Sequence, residues 1–247
     1  MILPDKKDAA HKAWLYRLLM AIYDEPFLGN ALYFKGGTCA AMLGFLDRFS
    51  IDLDFDFVKT KEEMDKTRGM LEKIFEKLGL TIKDKSKNTI QYFLRYPANK
   101  NLRNTLKIDC TFPPPKANIY KPMQFKEIDR VIISQSIETM FANKLVALID
   151  RYEKNGSIAG RDLYDIHHFF LNSYHYNAEV IIERRNKNLK MFFDEIIDFI
   201  DNYVTKTIIT QDLNYLLPPD KFQLIRKILR RECLMFLRDE RAWIGEN

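Results

Sequence analysis

The chain has 247 residues, of which 47% are hydrophobic and 30% are charged, so a wholly disordered protein is excluded and a sizeable core is possible. The formal net charge of +5 is compatible with an anionic partner such as nucleic acid or nucleotide, but does not require one. The three cysteines are far apart, as is typical of reduced thiols, and no stretch is long and apolar enough to span a membrane. We therefore expect a cytoplasmic protein.

The first part of the chain mixes strand and helix patterns. Helices are predicted from their apolar spacing at residues 5–25, 38–46 and 61–78. Strands are predicted from apolar alternation and flanking turn residues at 31–35, 51–57, 80–82, 89–96, 105–112 and 131–133. A polar turn is predicted at 99–104, and the three prolines at 113–115 end the strand pattern abruptly.

The second part of the chain is helical throughout. Helices are predicted at 136–154, 161–170, 178–187, 189–203 and 219–241. We place a boundary in the 113–135 connection and divide the chain into a catalytic domain, 1–130, and a helical C-terminal domain, 131–247, that completes the active site. The predicted fold class is α+β, a mixed sheet with flanking helices followed by a helical C-terminal domain.

The strand at 51–57 carries three acids with alternate spacing. Because side chains alternate across a strand, Asp52, Asp54 and Asp56 point to one face, and Asp109 on a neighbouring strand is placed to join them. Like charges on one face need a cation. Carboxylate oxygens suit Mg²⁺ or Mn²⁺, and two such ions can activate a hydroxyl and stabilise a pyrophosphate leaving group. The alternative is an acidic row paired with lysine or arginine, and Asp56 is expected to be merely solvated.

The turn before this strand is glycine-rich. Glycines allow backbone N–H groups to approach a phosphate closely, so Gly36 and Gly37, with the Thr38 hydroxyl, are suited to a nucleotide. A plain strand-to-helix turn explains the same residues. Lys35, which immediately precedes the turn, is interpreted as a solvent-exposed residue.

The helical half offers a second set of charged residues. Lys144 lies in an apolar helix, where a lysine usually extends to solvent but can instead reach a triphosphate. Arg161 and Asp165 have the spacing of a surface ion pair. His167 and His168 have no partners at zinc-site spacing and are interpreted as ordinary core or interface histidines.

Three motifs in order resemble the AbiEii-type nucleotidyltransferases, the toxins of abortive-infection and related toxin–antitoxin systems. The run FKGGTCAAMLGFLDRFSIDLDF is similar to that family's K-G-G-T/S and R-F-S-x-D-x-D-F pattern, and ANKLVALIDR and RDLYD are similar to its two later motifs. The resemblance spans residues 31–170. It departs from the usual pattern at Ile51, where many relatives carry Glu, and in the loop between Arg151 and Arg161, which is longer than usual.

The resemblance implies a nucleotidyltransferase fold and a role for each matching residue. Catalysis would depend on Asp52, Asp54, Lys144 and Asp162, with Lys144 contacting the triphosphate. The residues implied in nucleotide binding are Gly36, Gly37, Thr38, Arg48, Ser50 and Lys144. The metal, Mg²⁺ or Mn²⁺, would be held by Asp52 and Asp54, with Asp109 as the third carboxylate of the wider polymerase-β-like superfamily.

The resemblance also implies transfer of a nucleotide from an NTP to an acceptor, and related toxins add pyrimidines to the 3′ end of tRNA. The expected partners are an NTP, an RNA acceptor and a cognate antitoxin. Two basic runs, residues 184–190 and 221–238, are suited to an RNA backbone, although solvated helix faces would look the same. Two other functions remain open: a non-catalytic NTP-binding protein and a transferase that modifies a small molecule.

Overall fold

The computed structural model describes residues 1–98 and 102–244. They form two compact units. The sheet unit comprises Met1–Pro114 and Ile119–Gln135, and the helical unit comprises Pro115–Asn118 and the described residues from Ser136 onward. Part of the polar turn predicted at 99–104 lies outside the described residues.

The elements follow one another in the order that the sequence patterns indicate. The strands are Leu32–Lys35 (β1), Asp52–Phe57 (β2), Thr81–Lys85 (β3), Gln91–Arg95 (β4), Thr105–Thr111 (β5), Tyr120–Phe125 (β6) and Arg130–Gln135 (β7). The α-helices of the sheet unit are Ala9–Tyr23 (α1), Pro26–Gly29 (α2), Gly36–Met42 (α3) and Met64–Lys77 (α4). Those of the helical unit are Ile137–Asn155 (α5), Gly160–Leu171 (α6), Ala178–Arg185 (α7), Leu189–Tyr203 (α8), Lys206–Leu213 (α9) and Pro219–Trp243 (α10).

The seven strands form one mixed sheet in the order β3-β4-β5-β2-β1-β7-β6. β2 is central: it pairs antiparallel with β1 and parallel with β5. Leu53, Phe55 and Phe57 of β2 are fully buried, and the ring of Phe55 lies 5.4 Å from that of Phe34. Burial of each such side chain contributes about 2 kcal/mol. The apolar half of the alternating pattern therefore anchors β2 and leaves its acids on the opposite face.

The helical unit packs around α5 and α6. Ser136 begins α5 by accepting a hydrogen bond from the Thr139 N–H, and Gly156, with φ of 69°, ends it in the left-handed conformation. The rings of Phe141 and Phe169 are 5.1 Å apart at the contact between α5 and α6. α10 packs against α6 and α8.

The α+β class, a mixed sheet followed by helices, is confirmed. The short helices α2 and α9 were not predicted. β6 was also not predicted, because Pro122 interrupts its pattern; the strand forms at the sheet edge, where a proline is tolerated. The helix predicted at 38–46 is Gly36–Met42 in the structure, so it begins two residues earlier and ends four residues earlier. The domain boundary predicted after residue 130 falls at the start of β7, whose residues belong to the sheet unit.

Candidate active site

The acids of β2 lie on one face together with residues of the neighbouring strands. In the sheet register Asp54 is opposite Lys35 of β1 on one side and Asp109 of β5 on the other, and Gln91 of β4 is opposite Asp109. One row of polar side chains thus crosses four strands. We call this surface the acidic face, and it comprises Asp52, Asp54, Asp56 and Asp109 with Lys35 and Lys107.

Asp52 and Asp54 are the carboxylates of this face that lack a partner. Among the described residues, neither side chain makes a hydrogen bond or an ion pair. Burial, followed by the negative charge of Asp52, raises the pKa of Asp54 to about 6. The pair therefore carries excess negative charge, which a cation would relieve.

Asp109 lies beside β2, where the strand pattern predicted it, but its carboxylate is engaged. Its Oδ2 lies 2.6 Å from Lys107 Nζ, and its Oδ1 accepts a hydrogen bond of 3.2 Å from Gln91 Nε2. Within residues 1–98 and 102–244, no group of three or more His, Cys, Asp or Glu side chains is arranged to hold a metal ion.

The expectation that Asp56 and Lys35 are solvated is wrong. Asp56 is fully buried and accepts hydrogen bonds from Lys35 Nζ at 2.6 Å, Tyr120 Oη at 2.8 Å and Gln135 Nε2 at 2.7 Å. Lys35 also donates to the hydroxyl of Thr111. These partners come from β1, β5, β6 and β7, so no local pattern around Asp56 could have indicated them.

The two glycines fit tightly against functional side chains. Gly36 has φ of 79°, and a Cβ there would lie 2.5 Å from Asp54 Oδ2. A Cβ on Gly37 would lie 2.7 Å from Arg48 Nη2 and 3.0 Å from Ser50 Oγ. Since real Cβ atoms do not come this close to a neighbour, any side chain at Gly36 would displace Asp54.

Three further residues implied in nucleotide binding lie between the glycine turn and β2 and are buried: Thr38, Arg48 and Ser50. Thr38 is fully buried, and its hydroxyl donates to the backbone carbonyl of Asp52. Arg48 is 2% exposed and donates from Nη1 to the Phe49 carbonyl at 2.8 Å, and Ser50 is 8% exposed. In this structure Thr38 and Arg48 thus pack beneath the turn and hold the start of β2.

His11 is a structural residue that the sequence analysis missed. Its side chain is buried, its Nε2 lies 3.0 Å from the backbone carbonyl of Ile51 and its Nδ1 lies 3.0 Å from Tyr96 Oη. Burial lowers the pKa of His11 to about 4. It supports the residue that precedes Asp52, yet it lies 40 positions away in the chain, so nothing local identifies it.

The helical unit contains a second charged cluster, which we call the helical cluster: Lys144, Arg151, Asp162 and Asp165. Lys144 Nζ lies 2.7 Å from Asp162 Oδ1 and 2.9 Å from Asp165 Oδ2, and Arg151 Nη2 lies 3.2 Å from Asp162 Oδ2. Both carboxylates are fully buried. Burial alone would raise the pKa of Asp162, but the charges of Lys144 and Arg151 outweigh it and hold that pKa well below its usual range.

This cluster corrects two interpretations. Lys144 is not a lysine that extends to solvent, because its ammonium is held between two buried carboxylates. Asp165 is not a surface residue, since its side chain is fully buried. His167 is a buried histidine, as expected, and its Nε2 lies 2.9 Å from Glu232 Oε2.

The two basic runs are partly neutralised inside the helical unit. Arg185 forms ion pairs with Asp150, Glu153 and Glu195, and Arg184 with Asp150. On α10, Arg230 and Arg238 share Asp201, and Arg241 pairs with Asp194. The exposed cations of α10 are Arg226, Lys227, Arg231 and Arg238. The α10 run therefore offers more accessible positive charge than the run at 184–190, which is largely paired.

A mixed sheet whose central strand presents two unpartnered aspartates beside a Gly-Gly turn is consistent with an NTP-dependent nucleotidyltransferase. The family comparison agrees: residues 17–242 match the model of the family described as "Nucleotidyl transferase AbiEii toxin, Type IV TA system". The chain belongs to this AbiEii family of toxin nucleotidyltransferases, which confirms the resemblance carried by its three motifs. No curated protein matches the chain.

Solved structures share the fold at low sequence identity. A protein from H. pylori described as a candidate nucleotidyltransferase is 19% identical, with a TM-score of 0.55 over 95% of this chain and 98% of that one. JHP933 from Helicobacter pylori is 18% identical, with a TM-score of 0.52 over 99% of both chains. MenT4, a nucleotidyltransferase toxin from Mycobacterium tuberculosis, is 17% identical, with a TM-score of 0.55 over 94% of this chain and 84% of that one.

Across the described part of the chain, no helix has the length and apolar character needed to cross a membrane.

Proposed function

We propose that this chain is a metal-dependent toxin nucleotidyltransferase that moves a nucleotide from an NTP to an RNA acceptor, the 3′ end of tRNA being the first candidate. The observation that carries the proposal is the unpartnered pair Asp52 and Asp54 on the central strand. A merely structural acidic row would be paired with lysine or arginine, as Asp56 and Asp109 are.

The donor set of this pair fits a divalent cation. Both ligands are carboxylates, which suit Mg²⁺ or Mn²⁺ when phosphate oxygens complete the coordination. The pKa of Asp54 is raised because burial and the charge of Asp52 outweigh the favourable charges of Lys35 and Lys107. Gly36 leaves the space beside Asp54 Oδ2 free of a side chain. A bound Mg²⁺ would supply Lewis-acid stabilisation of charge on the reacting phosphate.

The chain's own residues position the nucleotide. We propose that the backbone N–H groups at Gly36, Gly37 and Thr38 contact its phosphates. Lys35, the residue before α3, has an ammonium that cannot accept a hydrogen bond, so its side chain leaves these N–H groups uncapped. Arg48 and Ser50 pack against Gly37 and would hold the turn in place. Such positioning, with charge stabilisation, accounts for most of the catalysis in phosphoryl chemistry.

Lys144 remains a proposed catalytic residue and Asp162 its proposed partner, because both occupy the matching positions of the family's later motifs. Their ion pair would set the orientation of Lys144 through Asp162 and Asp165 before any substrate binds. Asp162 would act through Lys144, as a positioning residue. Both roles rest on the motif match, not on a contact in the structure.

The RNA acceptor is supported by the exposed cations of α10. Arg226, Lys227 and Arg231 are exposed along one helix, and such a row suits phosphates read by shape more than by base sequence. A cognate antitoxin is proposed from the type IV family description alone.

The direct test is incubation of the protein with labelled NTPs, Mg²⁺ and total tRNA, beside Asp52→Asn. We expect label on tRNA with wild type and none with the variant. Equal label, or none with either protein and any acceptor, would contradict the enzymatic proposal. NTP binding without turnover in any acceptor mixture would instead favour a non-catalytic binding protein, and label on small molecules alone would favour the third function.

A further inference from the structure

Lys107 lies on the acidic face and is held by an acid of its own strand and an aromatic ring of β4. In the register of β5 it lies opposite Asp52 of β2 and Phe93 of β4. Its Nζ is 2.6 Å from Asp109 Oδ2 and 5.9 Å from the centre of the Phe93 ring. The side chain is 27% exposed, so its ammonium is a partly buried charge rather than a surface one.

The charges of the acidic face divide into two ion pairs and one unpaired set. Lys35 Nζ lies 2.6 Å from Asp56 Oδ1, and Lys107 Nζ lies 2.6 Å from Asp109 Oδ2. Asp52 and Asp54 have no partner among the described residues. When ionised, these two carboxylates carry two negative charges, which one divalent cation would balance.

We propose that the Lys107 ammonium takes the place of a second metal ion beside Asp109. The site then binds one divalent cation, through Asp52 and Asp54, and Asp109 is not a ligand. The inference rests on the proposed function, because it assumes that a cation binds there. The sequence predicts two metal ions held by three carboxylates. The inference replaces that arrangement with one ion held by two carboxylates.

The physical reason is competition for the same carboxylate. A second divalent ion on Asp109 would have to displace an ammonium already in contact with it, or lie close to that ammonium and be repelled. Gln91 also donates to the other oxygen of Asp109, which fixes the carboxylate in its present orientation. Removal of the ammonium would leave Asp109 uncompensated beside Asp52 and Asp54, and a second ion could then bind.

The test counts Mn²⁺ ions bound to each protein molecule by electron paramagnetic resonance, with the protein saturated by an NTP analogue that cannot be cleaved at the α-phosphate. Wild type, Lys107→Met, Lys107→Arg and Asp109→Asn are compared after circular dichroism confirms that each is folded. We expect one ion in wild type, Lys107→Arg and Asp109→Asn, and two ions in Lys107→Met.

The outcomes separate this inference from the proposed function. Two ions in wild type that fall to one in Asp109→Asn would make Asp109 a ligand and overturn the inference, while the metal-dependent function would stand. One ion in Lys107→Met would also overturn it, because the lysine would then not exclude a second ion. No bound ion in any of the four proteins would overturn the proposed metal dependence itself.

Discussion

The acidic face of the sheet unit and the helical cluster contain the same types of residue in opposite electrostatic states. Asp54 has a raised pKa because burial and Asp52 oppose its charge, whereas Asp162 has a lowered pKa because Lys144 and Arg151 favour its charge. A cluster that satisfies its own charges stabilises a fold, and one that does not is poised for a ligand. The difference separates the carboxylates that still lack a cation, Asp52 and Asp54, from those that already hold Lys144 in place.

The first test of this contrast is the substitution of Asp54 in the acidic face. Asp54→Asn should lower nucleotide transfer by about three orders of magnitude, since a divalent ion contributes several kcal/mol to such reactions. Its melting temperature should stay the same or rise, because the substitution removes a repelled charge. Asp84→Asn, the same change at an exposed position on β3, should leave both quantities unchanged. A large loss of stability in Asp54→Asn would show that Asp54 is structurally compensated.

The helical cluster should respond in the opposite way. Asp162→Asn leaves Lys144 and Arg151 without their shared carboxylate and should cost about 3 kcal/mol of unfolding free energy, the usual result of breaking a buried pair. Denaturant unfolding measures the loss. The double variant Asp162→Asn with Lys144→Met should lose less than the sum of the two single losses. Additive losses would mean that the ion pair does not couple the two residues.

Lowering the pH should affect the stabilities of the two units differently. The pKa of His11 is about 4 in the folded state and near 6.5 when unfolded. Its contribution to the free energy of unfolding is therefore complete above pH 6.5 and is lost as pH falls towards 4. The loss is at most about 3 kcal/mol. The lowered pKa of Asp162 keeps that carboxylate ionised across the same range, so its contribution persists.

The raised pKa of Asp54 acts in the opposite direction, because protonation of that carboxylate below about pH 6 stabilises the sheet unit. In Asp54→Asn the His11 loss is unopposed, so hydrogen exchange at pH 7 and pH 4.5 should show the sheet unit of this variant losing protection before the helical unit.

The control for this pH dependence is His11→Gln combined with Asp54→Asn, which retains a donor for the Ile51 carbonyl. Its sheet unit should show a smaller difference in protection between the two pH values. An unchanged difference would assign the acid sensitivity to other groups.

The smallest expected effect concerns the glycine turn. Gly36→Ala carries the cost of a positive φ, about 1 kcal/mol, and also forces Asp54 to move. Gly44→Ala is the matched control, because Gly44 has φ of 81° and no atom within 4 Å of the added Cβ. Gly36→Ala should lose more stability than Gly44→Ala, because only its Cβ collides with Asp54, and only Gly36→Ala should lose transfer activity, by about tenfold. Equal activities would show that Asp54 tolerates displacement.

Local patterns were enough to predict β2, the face shared by Asp52 and Asp54, the neighbouring position of Asp109 and the division into a mixed sheet and helices. Alternation and helical spacing encode these features directly. The partners that decide each carboxylate's state could not be predicted, because Gln135 lies 79 residues from Asp56 and His11 lies 40 from Ile51. Such pairings depend on strand order, which periodicity does not specify.

The most direct test of the central claim is pyrophosphate release during transfer from an α-phosphate-labelled NTP to RNA in the presence of Mg²⁺. Wild type and Asp84→Asn should release one pyrophosphate for each labelled nucleotide incorporated. Asp52→Asn, folded to the same extent by circular dichroism, should do neither. Transfer by Asp52→Asn at the wild-type rate, or undiminished wild-type transfer after removal of divalent ions with EDTA, would contradict the account.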